Sequence, residues 1–236
     1  MKPYLLRLTM VVLMAPASVL AASLQALLVG EYRPLRAAEA EQISEGFEAS
    51  LLARLGTVLD SEVTLVDATN QTDLRIGALE SGVIYYGSEV AALTSSEGGL
   101  FEWTDLAGEA FCVTTGSPHA SVVADRFGGI ARRYPSAAQA LIGLKLGECQ
   151  AVVDDRLLLE EIARLPEWRR YNRLLPALTD SELALRIETA DTALQRRVER
   201  TVLEWREDGQ LADLTQHWVD EVAFQAYVLA DTLDCH

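Results

Sequence analysis

The sequence is poor in the residues that most often carry chemistry. It has three histidines, one of them the terminal His236, and three cysteines in 236 residues. No Ser–His–Asp or Cys–His set and no metal-ligand spacing can be assembled from them. A non-enzyme without a cofactor or a metal centre is the expectation. Basic charge is scarce too, with 20 Lys and Arg against 35 Asp and Glu and a net charge of −15. With no basic patch or basic amphipathic helix to offset it, such a surface repels nucleic acid and anionic lipid. Internal repeats and low-complexity tracts are lacking, as is any second apolar run of the ~20 residues a membrane span requires.

The one long apolar stretch is N-terminal, "MKPYLLRLTMVVLMAPASVLAAS". A short basic start (Lys2, Arg7), an apolar centre interrupted by Pro16 and small residues at its end read as a signal peptide over residues 1–21. That places the mature chain in the periplasm. The rest, about half apolar, is long enough for one large core or two lobes.

Beyond residue 21, "LQALLVG" reads as a buried strand and "YRP" breaks it. Ile43, Phe47, Leu51, Leu52 and Leu55 recur at helical spacing over 38–56, with Gly56 as the stop. "SEVTLVDA" is a second strand, "TDLRIGALESG" is a short helix or strand, and "VIYYGSEVAALT" is extended. From Glu102 onward the pattern gives strand, Gly-Ser-Pro turn, helix over 118–127, a turn, helix "SAAQALIGLKLG", strand "CQAVVDD" and helix "RLLLEEIARL". This alternation with short connections argues for a parallel α/β sheet. "ELALRIETA" is again extended, two helices follow, and the apolar-rich tail carries Phe224, Tyr227 and Val228.

Ser117 between Gly116 and Pro118 fits a helix N-cap followed by N1. That turn is either an ordinary cap or an anion site built from free N–H groups and the helix dipole. His119 in the same turn reads as a solvated residue. Cys112 and Cys149 lie on or beside short apolar strands, and two buried thiols or a disulfide are both open. Asp155 ends its strand and reads as a helix N-cap, with Asp154 on the other face.

Taken in order, "LLVG", "EGFEASLLARLG", "WTDLAGEAFCVTTGS", "YPSAAQALIGLKLGECQAVVDD", "LALRIETADTALQRRV" and "DGQLADLTQHW" resemble the bacterial extracellular solute-binding proteins of family 3. These are periplasmic amino-acid receptors of ABC importers. The resemblance runs from about Leu27 to Trp218. It implies a two-lobed α/β periplasmic binding protein, each lobe a mainly parallel sheet flanked by helices, joined by two extended crossovers near 88–93 and 183–187. Lobe one would comprise residues 22–90 and 187–236, and lobe two residues 91–186. It also implies a Cys112–Cys149 disulfide, and an oxidising compartment favours one.

By the same resemblance, the Gly116–Ser117 turn faces the cleft and Asp155 meets the ammonium of a small polar or amino-acid-like solute. The family's carboxylate-clamping arginine has no counterpart here. Arg75 and Arg33 are the candidates to replace it, and Tyr32, Tyr85 and Tyr86 could line the cleft. The implied partners are the solute and an inner-membrane ABC permease, for a monomeric receptor. The alternative is a periplasmic interaction protein that has lost or altered solute capture. Cys235 is left over, free or paired with another molecule.

Overall fold

The computed structural model describes residues 22–36, 45–66, 68 and 72–234. The expected signal peptide, the start of the first expected helix and Cys235 lie outside these residues. Among the described residues no helix is long and apolar enough to cross a membrane.

One eight-stranded sheet runs through the molecule in the order β2-β1-β3-β8-β4-β7-β5-β6. At one end β1 (Ala22–Val29), β2 (Ser61–Val66) and β3 (Leu74–Gly77) are parallel. At the other end β5 (Ala110–Thr114), β6 (Ile130–Tyr134) and β7 (Ala151–Asp155) are parallel. Between them, β4 (Val83–Thr94) and β8 (Arg173–Glu188) form a long antiparallel ribbon. The ribbon is irregular where the crossovers were expected. Between the Ser88–Leu183 and Val90–Leu178 pairs, β8 advances five residues while β4 advances two.

Helix α1 (Phe47–Leu59) covers the first group of strands with Phe47, Leu51, Leu52, Leu55 and Leu59. Gly56 does not stop it. The helix runs on to Asp60, which takes the left-handed cap conformation, φ 54°. Gly56 is instead a point of close approach, since a Cβ there would lie 2.5 Å from the Ser61 carbonyl oxygen. Helices α2 (His119–Phe127), α3 (Ala137–Lys145) and α4 (Arg156–Arg164) connect the second group. Ser136 caps α3 by accepting the Gln139 N–H at 3.2 Å, and Asp191 caps α5 (Thr192–Glu207) in the same way.

The tail is not a separate apolar segment. It continues α6 (Gln210–Asp234), whose 25 residues extend roughly 37 Å. Val219, Val222 and Ala226 of α6 pack on Ala138, Leu141 and Leu144 of α3. The strand β6 was not expected. Its "IARRY" sits at the sheet edge and is mostly exposed, so it shows no apolar alternation to read.

The strands of the second group sort their side chains by parity. Ala91, Leu93, Cys112 and Val152 join the cluster shared with α3, α4 and α6. Val90, Ala92, Phe111, Val113, Ala151 and Val153 form a second cluster with Trp103 and Leu106 on the other face. β7 is buried along its whole length, so both its terminal aspartates are carried into the interior.

Cys112 and Cys149 are bonded, with Cα atoms 5.7 Å apart, and the bond closes a separation of 37 residues. Cys112 lies on β5 and Cys149 just ahead of the neighbouring β7. Replacing both by alanine is expected to cost about 3–4 kcal/mol, because the unfolded chain regains the entropy of that loop. Urea unfolding with and without reductant measures this. Identical midpoints would show that the bond adds nothing.

Candidate functional site

The ribbon and the loop after β1 bring together a group of polar side chains far apart in sequence. At its centre is Asp155, the last residue of β7, fully buried. Its Oδ2 accepts the Tyr32 hydroxyl at 2.8 Å and the Tyr86 hydroxyl at 2.7 Å. Its Oδ1 lies 2.8 Å from His119 Nε2. Tyr32 comes from the connection between β1 and α1, Tyr86 from the start of β4, and His119 from the first turn of α2. The cluster therefore ties the two ends of the sheet together.

Asp154 stands behind it and is also buried. One of its oxygens accepts the Asp155 N–H at 2.8 Å and the other the Thr114 hydroxyl at 3.2 Å. Burial, then the charge of Asp155, pushes the Asp154 carboxyl up to about 7. Burial works to lower the His119 pKa. The hydrogen bond and charge of Asp155, with Asp154 beyond, outweigh that and hold it above the ordinary histidine value. Burial and the Asp155 charge raise both tyrosine hydroxyls well above their usual range, so they stay protonated donors.

The Gly116–Ser117 turn faces the same junction. Gly116 has φ 80°, and a Cβ on it would lie 2.9 Å from the Glu31 backbone. Only glycine allows the turn to approach the β1–α1 connection this closely. The helix begins one residue later than expected, at His119 with Pro118 as cap. Two of the turn's N–H groups are engaged within the chain. Ser117 N–H donates to the Thr114 carbonyl at 3.1 Å, and His119 N–H to Ser117 Oγ at 3.3 Å.

His119 is the residue that sequence reasoning misplaced. It is buried and charge-paired, not solvated, and no local signal marks this, because its partner is 36 residues away. Asp155 faces three internal donors rather than an open gap. Asp154 accepts the Asp155 backbone N–H and so helps to hold it. Tyr32 and Tyr86 act as hydroxyl donors more than as an aromatic wall, and Tyr85 packs beside Phe47 in the core.

Arg75 is not brought to this cluster. It pairs with Glu188 at 2.6 Å and is half exposed. Its strand partner Glu188 is beside Ile187, whose β4 partner Val83 lies seven residues from Val90, the partner of Asp155, roughly 23 Å along the strand. Arg33 is next to Tyr32 but turns away, to Glu48 Oε2 at 3.2 Å and the Glu45 carbonyl. Burial raises the Glu48 pKa against the pull of Arg33. Glu48 Oε1 and the Tyr85 hydroxyl are both buried without a hydrogen-bond partner among the described residues. Also among the described residues, no cluster of His, Cys, Asp and Glu is arranged to hold a metal ion.

No family model and no curated protein matches the chain. Many solved structures do. An arginine third transport system periplasmic binding protein from Legionella pneumophila is 16% identical, with a TM-score of 0.58, over 84% of this chain and 99% of that one. A mutant of the arginine-binding protein from T. maritima is 19% identical, with a TM-score of 0.57, over 84% and 96%. The ancestral amino-acid-binding protein AncCDT-1, a precursor of cyclohexadienyl dehydratase, is 16% identical, with a TM-score of 0.60, over 84% and 96%. The likeness is one of fold, and the fold is that of the two-lobed periplasmic binding proteins.

Proposed function

We propose that the chain is a periplasmic solute-binding protein that captures a small cationic, amine-bearing solute for an ABC importer. The observation that carries this is the charge of the junction between the two ends of the sheet. Two adjacent buried carboxylates, Asp154 and Asp155, share one basic partner, His119. Burying charge is costly unless it is matched, and perturbed buried charges cluster at functional sites. With the Asp154 carboxyl raised to about 7, an ammonium or guanidinium group placed there would favour its ionised form and supply a second counter-charge. The lobes are residues 22–90 with 187–236, and residues 91–186. On this reading Tyr32, Tyr86 and His119 hold the lobes closed until a cation takes their place at Asp155. The arginine named for two similar structures belongs to that chemical class.

A second reading is favoured by a specific observation. Both Asp155 oxygens and the Ser117 N–H of the turn are engaged within the chain, and a Cβ on Gly116 would lie 2.9 Å from the Glu31 backbone. A cleft so satisfied suits an interaction protein that has kept the scaffold and given up solute capture.

A thermal-shift series with L-arginine, L-lysine, L-ornithine, putrescine and L-glutamate separates the two. A solute at 100 times its Kd adds ~2.7 kcal/mol of stability. Stabilisation by the cationic members and not by glutamate is the expected result. A flat response to all five would reject cation capture in favour of the interaction reading.

A further inference from the structure

Away from the cleft, some exposed arginines pair with carboxylates, as Arg126 does with Asp180 and Arg156 with Glu89 and Glu160. The end of α3 is different. A cavity of about 450 Å³ opens there, between Lys145, the short turn at Pro166–Trp168 and the last turns of α6. Its wall carries three cations, Lys145, Arg169 and Arg170, and two carboxylates, Glu167 and Asp231. The lining is thus net positive by one on a chain of net charge −15.

Lys145 is held in place. Its ammonium lies 4.3 Å from the centroid of the fully buried Trp168 ring, and Nζ donates to the Glu167 carbonyl at 3.4 Å. Such a cation–π contact helps to orient the ammonium. The Tyr171 hydroxyl, at 3.5 Å from the Lys145 carbonyl, braces the same turn. Arg169 and Arg170 are exposed, and neither guanidinium has a partner among the described residues. The Tyr171 and Tyr227 rings supply apolar wall.

We propose that this cavity is a second binding site, for a small multivalent oxyanion of the di- or tricarboxylate or phosphate class. The two guanidinium forks are suited to paired oxygens, and they carry the proposed contact. Glu167 and Asp231 exclude a diffuse anion cloud and favour a compact ligand that meets the cations and avoids the carboxylates. The size lies within the 300–1,000 Å³ common for small-molecule sites.

The test is titration calorimetry of the purified protein with citrate and with inorganic pyrophosphate, against acetate at matched ionic strength. Saturable binding of citrate or pyrophosphate, at least about tenfold tighter than acetate, is expected. An Arg169→Gln/Arg170→Gln variant should bind that anion about tenfold more weakly. Its melting temperature without anion should be unchanged, since both side chains are exposed and unpartnered. Adding L-arginine should not displace the anion, which separates this site from the cleft. The proposal is overturned if neither anion binds saturably, or if the double variant binds it as tightly as the wild type.

Discussion

Replacing Asp155 by asparagine is expected to lower stability by about 3–5 kcal/mol, the usual cost of removing one partner from a buried charged pair. The geometry explains why the change is not conservative. Asp155 accepts on both oxygens, two tyrosine hydroxyls on Oδ2 and His119 on Oδ1. An asparagine amide accepts on one side only. Its NH2 must face either the tyrosine pair or His119 Nε2, and His119 is left buried without its counter-charge. For a chain of this size the loss corresponds to a fall in melting temperature on the order of 10 °C. The His119 pKa, followed by NMR, should fall in any variant that still folds. A loss below about 1 kcal/mol would mean that the cluster contributes little to closure. Solute titrations on this variant are therefore to be read against its stability, because Asp155 supports the structure as well as any ligand.

The second large effect is on pH dependence. Asp154 and His119 both have folded pKa values above their ordinary ones, and so does Glu48. Groups raised in this way bind protons more tightly in the folded than in the unfolded protein. Their contribution is complete below the unfolded pKa and is lost as pH rises through the folded one. For Asp154 the window runs from an ordinary carboxylate value near 4 up to about 7, and it spans up to about 4 kcal/mol. His119 extends the loss above its usual 6.5. Stability should therefore fall between pH 5 and pH 8. Asp105 and Asp180 have lowered values, but their contribution changes only below about pH 4, outside this window, and both are exposed. Denaturant midpoints across that range provide the measurement. Asp154→Asn, which mimics the protonated acid, should flatten the slope. A stability that rises from pH 5 to pH 8 would refute the coupling.

What could be read from the sequence was what local patterns encode. The "AVVDD" run announced a buried strand ending in an acid, and the Phe47–Leu55 spacing announced a helix. The disulfide pairing came from resemblance, not from spacing. The tail was legible only as apolar-rich, although Val219, Val222, Ala226 and Ala230 continue a helical stripe with no breaker. The role of His119 was not legible. Tyr32 lies 123 residues from Asp155 and Tyr86 lies 69, so only the tertiary fold brings these partners to the strand end. The edge strand "IARRY" was missed for the opposite reason, because an exposed edge places no demand on its side chains.

The length of α6 has a mechanical consequence. Val219, Val222 and Ala226 of α6 share one buried cluster with Ala138, Leu141 and Leu144 of α3, and α6 also touches α1 and α5. A helix that reaches from α1 and α5 across to α3 acts as a strut between the two ends of the sheet. If the ends part, α3 cannot simply swing away as if on a door hinge. It must slide along the strut, and packed helices slide in small steps without unpacking. Motion of this kind is shear, of small amplitude, and it would keep the α3–α6 contact packed throughout.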